Sequence, residues 1–579
     1  MKALRKIAGR LRRKMRPAAV SKAKERASAL IAGGDHAQAR LAFERYLAEQ
    51  PGDFDAWIRF GECCIELRDP AQAEACFDTA IATQPQNALG YVHLARMLQA
   101  DERPLGALFR YRKAFALDPA FPFTPAEADM LRQDILEQNA LGQNARNSVA
   151  DQTSANRTGI VLDVSDLLKY LRVNVGMTGI QRVQMSVISS ILKSFPARNI
   201  RFGFCGKKAG QIFTVAEGRI FDLIDEVNHP AVSRANLDLR LRAVRADAIP
   251  AEFRNGDVFM LLGAFWIFRT YAQTISILRR QGVKVGVYIY DLIPLTHPHY
   301  FAIPLRLSYR AQFAKVMKVV DFACTISEFV ANDLRVALTN SLQRSIPVAA
   351  VPLAQDLPKQ TTPVDQTFRD EVPRAFVLCV CTLEVRKNHL LLLDVWSNLY
   401  SKYGSDIPSL ILVGKWGWKI KPFRNRLQKS KNVDGKIIVL GSLSEARLAH
   451  LYRNCLFTIF PSFVEGWGLP VGESLSFGRP CIASNTSAIP EVGGELVRYI
   501  DPYDAEAAQV MIEKTLADRD DLAAWAARVQ REFKPRSWRE VTENLLSRID
   551  DCASSSTMRR EPSVIGESVT YDVSTSGVR

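Results

Sequence analysis

Several things are missing from this 579-residue sequence, and each absence narrows what it does. No apolar run approaches the roughly 18–20 residues needed to cross a bilayer. The longest, Val258 to Phe268, has eleven residues between Asp257 and Arg269 and reads as a buried strand. No continuous apolar segment follows the basic N-terminus, so a secretory leader is not expected. The expected location is the cytoplasm, with peripheral attachment to the inner face of a membrane as the alternative. The ten cysteines show neither the spacing of a disulfide framework nor that of a zinc finger. Most lie in apolar stretches; Cys379 and Cys381, which share one face of a strand near His389, read as buried core thiols. Broadly distributed positive charge is also lacking. The net charge is +15, but Met1 to Arg26 holds eleven Lys/Arg against the single Glu25, which is +10 and leaves only +5 for the rest. A nucleic-acid partner is therefore not expected.

What is present falls into segments. Residues 1–26 form a basic tail in which Leu4, Ile7, Leu11 and Met15 recur at helical spacing. Two readings stay open for it: an amphipathic helix on an anionic membrane surface, or a solvated basic tail. Residues 27–138 repeat with a step of 34, seen in Pro51, Pro85 and Pro119, in Ala39, Ala73 and Ala107, and in Phe43, Phe77 and Tyr111. The pairs Trp57/Tyr91, Phe60/Leu94 and Gly61/Ala95 keep the same register. Small residues where helices cross, aromatics between them and a closing Pro resemble the tetratricopeptide repeat. Such units stack into a superhelix suited to a polypeptide partner, or serve as a spacer. Residues 139–157 are polar and read as a linker, and residues 551–579 as a disordered tail.

Between linker and tail, apolar strands alternate with amphipathic helices, and the series restarts near residue 376. Two such series predict two Rossmann-like domains, 158–358 and 359–550, with a ligand cleft between them. The chemistry concentrates in Phe460 to Gly494, FPSFVEGWGLPVGESLSFGRPCIASNTSAIPEVGG. Glu465 and Glu473 have seven residues between them, GWGLPVG, after an apolar strand and before a helix starting near Pro470. Gly466 and Gly468 allow close backbone approach, helix-terminal amides meet phosphate oxygens, and the carboxylates accept hydrogen bonds from sugar and ribose hydroxyls.

This run resembles glycosyltransferase family 4, with its paired glutamates in an EGFGLPxxE context followed by GxPVxxS and PEVxG. Trp467 replaces the usual Phe, while Gly478, Pro480, Ser484, Pro490, Glu491, Val492 and Gly494 fit. CTLEVRKNH resembles the family's GTLEPRKN. The resemblance implies an α/β protein of GT-B architecture behind an all-α repeat domain. It also implies a retaining, hexosyltransferase-type enzyme that moves a sugar from a GDP- or UDP-linked donor to a glycan or lipid-linked acceptor during surface polysaccharide assembly. It makes Arg386 and Lys387 the cations for the donor diphosphate and Glu465 the contact to the donor sugar. Glu473 falls to the ribose, with Gly466, Trp467, Gly468 and Leu469 around the donor. TGIQRV resembles the family's TGIxR and carries over Gly179. YDLIPLTHPHYF resembles HDLIPLxxPxxF and suggests Asp291, Tyr290 and His297 on the acceptor side, with Tyr290 where the family has His. Ser327 and Glu328 fit a TxSxxxxxDL run. No cofactor or metal is expected: the two Asp-x-Asp matches, Asp53/Asp55 and Asp518/Asp520, read as solvated surface. Two rivals remain, a protein O-glycosyltransferase that reads polypeptide with its repeats, and a repeat scaffold with an inactive transferase module.

Overall fold

The computed structural model describes residues 17–128, 130–131, 159–177, 179–196, 198–229, 231–355 and 364–554, with the side chains of 17–22 excepted. The linker 139–157, most of the basic tail and nearly all of the C-terminal tail lie outside these residues. Among the described residues the first six helices are Pro17–Ala32, His36–Glu49, Phe54–Glu66, Pro70–Thr83, Ala88–Ala100 and Pro104–Leu117. The sequence boundary at residue 26 is thus corrected, because residues 17–26 begin the first repeat helix, where Lys24 pairs with Asp53 at 2.8 Å. Side chains of Asp35, Asp53, Asp69 and Asn87 cap four of the helices by accepting otherwise unpaired first-turn amides. At one helix crossing, a Cβ on Gly61 would sit 2.4 Å from the Phe77 ring, which is why the repeat places a small residue there. The Asp-x-Asp matches turn out to be caps: Asp53 starts Phe54–Glu66 and is also bonded to Tyr46, and Asp518 starts Arg519–Glu532. Asp53 is therefore engaged rather than solvated.

The second unit is an eight-stranded sheet made of β1 (Ile160–Asp163), β2 (Ile200–Cys205), β3 (Ile212–Val215), β4 (Ile249–Pro250), β5 (Val258–Leu261), β6 (Lys284–Ile289), β7 (Phe322–Thr325) and β8 (Val348–Ala350). Its order is β4-β3-β2-β1-β5-β6-β7-β8, parallel except for the edge pairs β2/β3 and β3/β4. The third is a parallel six-stranded sheet of β9 (Phe376–Val380), β10 (Ser409–Val413), β11 (Ile437–Leu440), β12 (Thr458–Phe460), β13 (Cys481–Ser484) and β14 (Arg498–Ile500), ordered β11-β10-β9-β12-β13-β14. Buried, β-branched strands joined by crossover helices account for both sheets. The apolar run Val258 to Phe268 is a strand only as far as Leu261. Gly263 then fits against Asp166, where a Cβ would come within 2.4 Å, the Ala264 amide bonds the Asp166 carboxylate, and Phe265–Ile267 turns as a 3-10 helix. The boundary at 550 is also corrected: the helix Trp538–Ser554 returns to the first sheet, where Lys284 Nζ donates to the carbonyls of Cys552 and Ala553. Among the described residues, no helix is long and apolar enough to cross a membrane.

The repeats are fastened to the first sheet's domain through helices Glu217–Asn228 and Arg234–Ala246. Arg110 grips Asp222 with two bonds of 2.7 and 3.0 Å, and both side chains are buried. Glu74 lies between Arg103 at 2.8 Å and Arg240 at 2.5 Å. The Leu105 and Gly106 amides at the start of Pro104–Leu117 donate to Asp225, where a carboxylate suits the positive end of a helix. Phe109 packs on Phe221 with ring centroids 5.1 Å apart. Removing one member of a buried ion pair leaves its partner uncompensated. Asp222→Ala is therefore expected to lower stability by about 3–5 kcal/mol in chemical denaturation. Asp394→Ala, which opens the solvent-facing pair with Arg426, should cost less than about 1 kcal/mol.

Candidate active site

In the six-stranded sheet the chain runs outward from β9 through β10 to β11, then crosses back to β12 and proceeds the other way. The carboxyl ends of β9 and β12 therefore flank the point where the strand order reverses, and such a point opens a crevice for ligands. Arg386 and Lys387 follow β9, and Glu465 follows β12. The structure brings these three together: Arg386 Nη1 stands 2.7 Å from one oxygen of Glu465 and Lys387 Nζ 2.5 Å from the other. Both cations sit on a short 3-10 turn that ends at Asn388 with φ 57°. Arg386 is steadied further by Glu384 at 2.8 Å and by the Val464 carbonyl at 2.6 Å. The Glu465 amide donates to Ser487 Oγ at 2.9 Å.

The electrostatics follow from burial. Glu465 is only 7% exposed. Burial alone would raise its pKa, but Arg386 and Lys387 outweigh that and hold the carboxyl at about 2. Glu384 is also buried and Asp291 is half-buried, and for both desolvation wins over the same two cations, so both are shifted upward. One cluster thus contains a carboxylate fixed in its ionised form and two others on which burial favours the proton.

The second glutamate is engaged differently. Glu473, in the helix Leu469–Ser476, accepts from Arg182 at 2.8 Å and from the Tyr452 hydroxyl at 2.8 Å. Arg182 lies on the helix Gly179–Ser194, one turn past Gly179, beside which a Cβ would meet nothing within 4 Å. That helix is anchored by Asp166, which accepts from Gln181 at 3.0 Å and Gln184 at 2.8 Å. Gly466 and Gly468 have separate reasons to be glycine. A Cβ on Gly466 would lie 2.2 Å from the Tyr290 carbonyl oxygen, and Gly468 has φ 127°. Ser327 Oγ donates to the Gly466 carbonyl at 2.8 Å, so the glycine loop is seated on the carboxyl ends of β6 and β7. Glu491 accepts from the Glu328 and Phe329 amides, a carboxylate of one half on a helix N-terminus of the other. Trp467 is buried, and its indole N–H has no acceptor among the described residues. Leu469 opens the helix that carries Glu473.

On the expected acceptor side the structure separates three residues. Asp291 belongs to the charged cluster, with one oxygen accepting from the Ile293 amide at 3.0 Å. Tyr290 turns its hydroxyl away, donating to the Leu262 carbonyl at 2.7 Å inside the first domain. Its backbone carbonyl faces the glycine loop. His297 bonds Thr296 and stacks on Tyr300, which stacks in turn on Phe463, two residues before Glu465. Arg182, Glu384, Asp166 and Tyr452 were not singled out from sequence. Arg182 lies within TGIQRV and Glu384 within CTLEVRKNH, whereas Asp166 and Tyr452 carry no local signal.

Comparison with known proteins agrees with this architecture. Residues 365–532 match the family described as glycosyl transferases group 1, and residues 30–96 match the tetratricopeptide repeat. The chain is similar to O-antigen chain mannosyltransferase B of Escherichia coli, with 30% identity over 190 residues, 33% of this chain and 49% of that one. It is 23% identical over 412 residues to the serotype-specific mannosyltransferase WbdA of Escherichia coli, covering 67% of this chain and 46% of that one. The chain thus spans about half the length of these curated relatives. Among solved structures, a glycosyltransferase from Rickettsia africae superposes with a TM-score of 0.45 at 15% identity, over 69% of this chain and 100% of that one.

The Glu465 ion cluster has a definite pH signature. Its folded pKa lies below the ordinary 4.5, so its contribution to stability is fully present above about pH 4.5 and is lost as pH falls toward 2. Glu465→Gln should be less stable than wild type by about 3–5 kcal/mol at neutral pH. In denaturation curves the gap should narrow steadily below about pH 4.5.

Proposed function

We propose, for a chain that carries a group 1 glycosyl transferase domain behind tetratricopeptide repeats, that it moves a hexosyl group from a GDP- or UDP-linked donor to a glycan or lipid-linked acceptor in surface polysaccharide assembly, with retention at the anomeric carbon. The mannosyltransferase names of its relatives make a mannosyl donor the first candidate. The observation that supports the reading best is the pairing of Arg386 and Lys387 on Glu465 at the reversal of strand order.

In this reading the donor diphosphate lies against Arg386 and Lys387. Its negative charge grows as the glycosidic bond to phosphate lengthens, and fixed cations held by Glu465 and Glu384 lower the energy of that transition state without having to reorganise. The same two cations make a metal unnecessary at the diphosphate. Glu465 orients sugar hydroxyls, and Glu473 exchanges Arg182 for the ribose. Retention is carried over from the resemblance to family 4.

The test is nucleotide release by the purified protein from UDP-, GDP-, dTDP- and CMP-sugars, with Glu465→Gln and Arg386→Ala alongside. One donor class should be turned over, and each variant should lose at least about 100-fold in rate while staying folded. Near-normal turnover by Glu465→Gln would refute the assignment, and binding without turnover by wild type would favour the scaffold reading.

A further inference from the structure

We propose that Cys379, Cys381 and His389 form a binding site for one zinc-class ion, which ties the end of β9 to the helix that begins after the Arg386–Lys387 turn. Cys379 lies in β9 and Cys381 one residue past its end, where its amide still bonds the Val413 carbonyl, so both thiols project to the same side. The turn at Asn388 then brings His389, the first residue of helix His389–Tyr403, back toward them. Cys379 Sγ lies 3.8 Å from Cys381 Sγ, and Cys381 Sγ lies 3.4 Å from His389 Nε2. All three donor atoms fall within 4.8 Å of one another.

These separations suit a metal. With metal–sulfur bonds of about 2.3 Å, metal–nitrogen bonds of about 2.0–2.1 Å and tetrahedral angles, two sulfurs are about 3.8 Å apart and a sulfur and nitrogen about 3.6 Å apart. The donor set, two thiolates and an imidazole, is one that zinc takes when a fourth position stays open. Cys379 and His389 are buried while Cys381 retains some exposure, so three protein donors would close three positions and leave the fourth toward solvent. Other thiols of this domain are differently placed: Cys455 donates to the Tyr452 carbonyl and Cys481 faces the Ile482 carbonyl, whereas Cys379 and Cys381 face each other and a histidine. His389 is 2% exposed, its Nε2 meets a thiol, and its Nδ1 has no partner among the described residues. Such a buried imidazole lacks the oxygen partner that usually offsets its desolvation, and a metal bond at Nε2 would supply that offset. Binding would release both thiol protons to solvent, leaving a site with no net charge. The ion would brace both ends of the segment that carries Glu384, Arg386 and Lys387.

The experiment loads the full-length protein with Zn(II), removes excess by desalting and counts metal per chain by mass spectrometry, with Co(II) as a spectroscopic substitute. Wild type should keep about one zinc and show sulfur-to-cobalt charge transfer. Cys381→Ser should bind at least about 10-fold more weakly, and Cys552→Ser should bind as wild type does. Circular dichroism of the zinc-free proteins checks that the serine variants fold. The proposal is overturned if wild type retains no metal, if Cys381→Ser retains as much as wild type, or if peptide mapping under non-reducing conditions finds Cys379 and Cys381 joined as a disulfide.

Discussion

A carboxylate removed from water stays ionised only where fixed positive charge meets its oxygens, and Glu465 is held in that way by one cation on each oxygen. The arrangement needs two strands that are far apart in sequence and adjacent in space. β9 delivers Arg386 and Lys387, and β12 delivers Glu465 after the chain has crossed back over the sheet. Once the triad is set, much of the surrounding geometry follows. Glu384 is drawn under Arg386, Ser487 receives the Glu465 amide, and Gly466 must be glycine because a Cβ there would collide with the Tyr290 carbonyl of the other domain.

The two α/β domains meet at the carboxyl ends of their sheets, and the contacts between them are polar and specific. Ser327 on Gly466, Glu491 on the amides of Glu328 and Phe329, and Arg182 on Glu473 each join one domain to the other. The repeats are held by a different interface: buried arginine–carboxylate pairs tie their helices to Glu217–Asn228 and Arg234–Ala246. The helical array and the first domain therefore share a boundary whose central charges, Arg103, Arg110, Glu74 and Asp222, are buried.

The legible parts of this structure were those written in short-range patterns. A 34-residue step is visible because each repeat solves the same packing problem, with Gly61 under Phe77 as the clearest instance. The paired glutamates and the RK dipeptide stood out through their flanking glycines and strands. Illegible were the contacts set by tertiary packing. Arg110 and Asp222 are 112 residues apart and Arg182 and Glu473 are 291 apart, and neither pair leaves a trace in local composition. The run Val258 to Phe268 looked like one strand because hydrophobicity does not encode the bend that Gly263 makes against Asp166. Tyr290 occupied a motif position, yet its hydroxyl donates to the Leu262 carbonyl inside the first domain.

The account rests on the claim that Arg386 and Lys387, poised by Glu465, receive a diphosphate. Calorimetric titration of the full chain with nucleoside diphosphate and with the matching monophosphate tests it most directly, because the two ligands differ only in the group those cations would meet. The account predicts a marked preference for the diphosphate in wild type that largely disappears in Arg386→Ala; an equal preference in both proteins would contradict it.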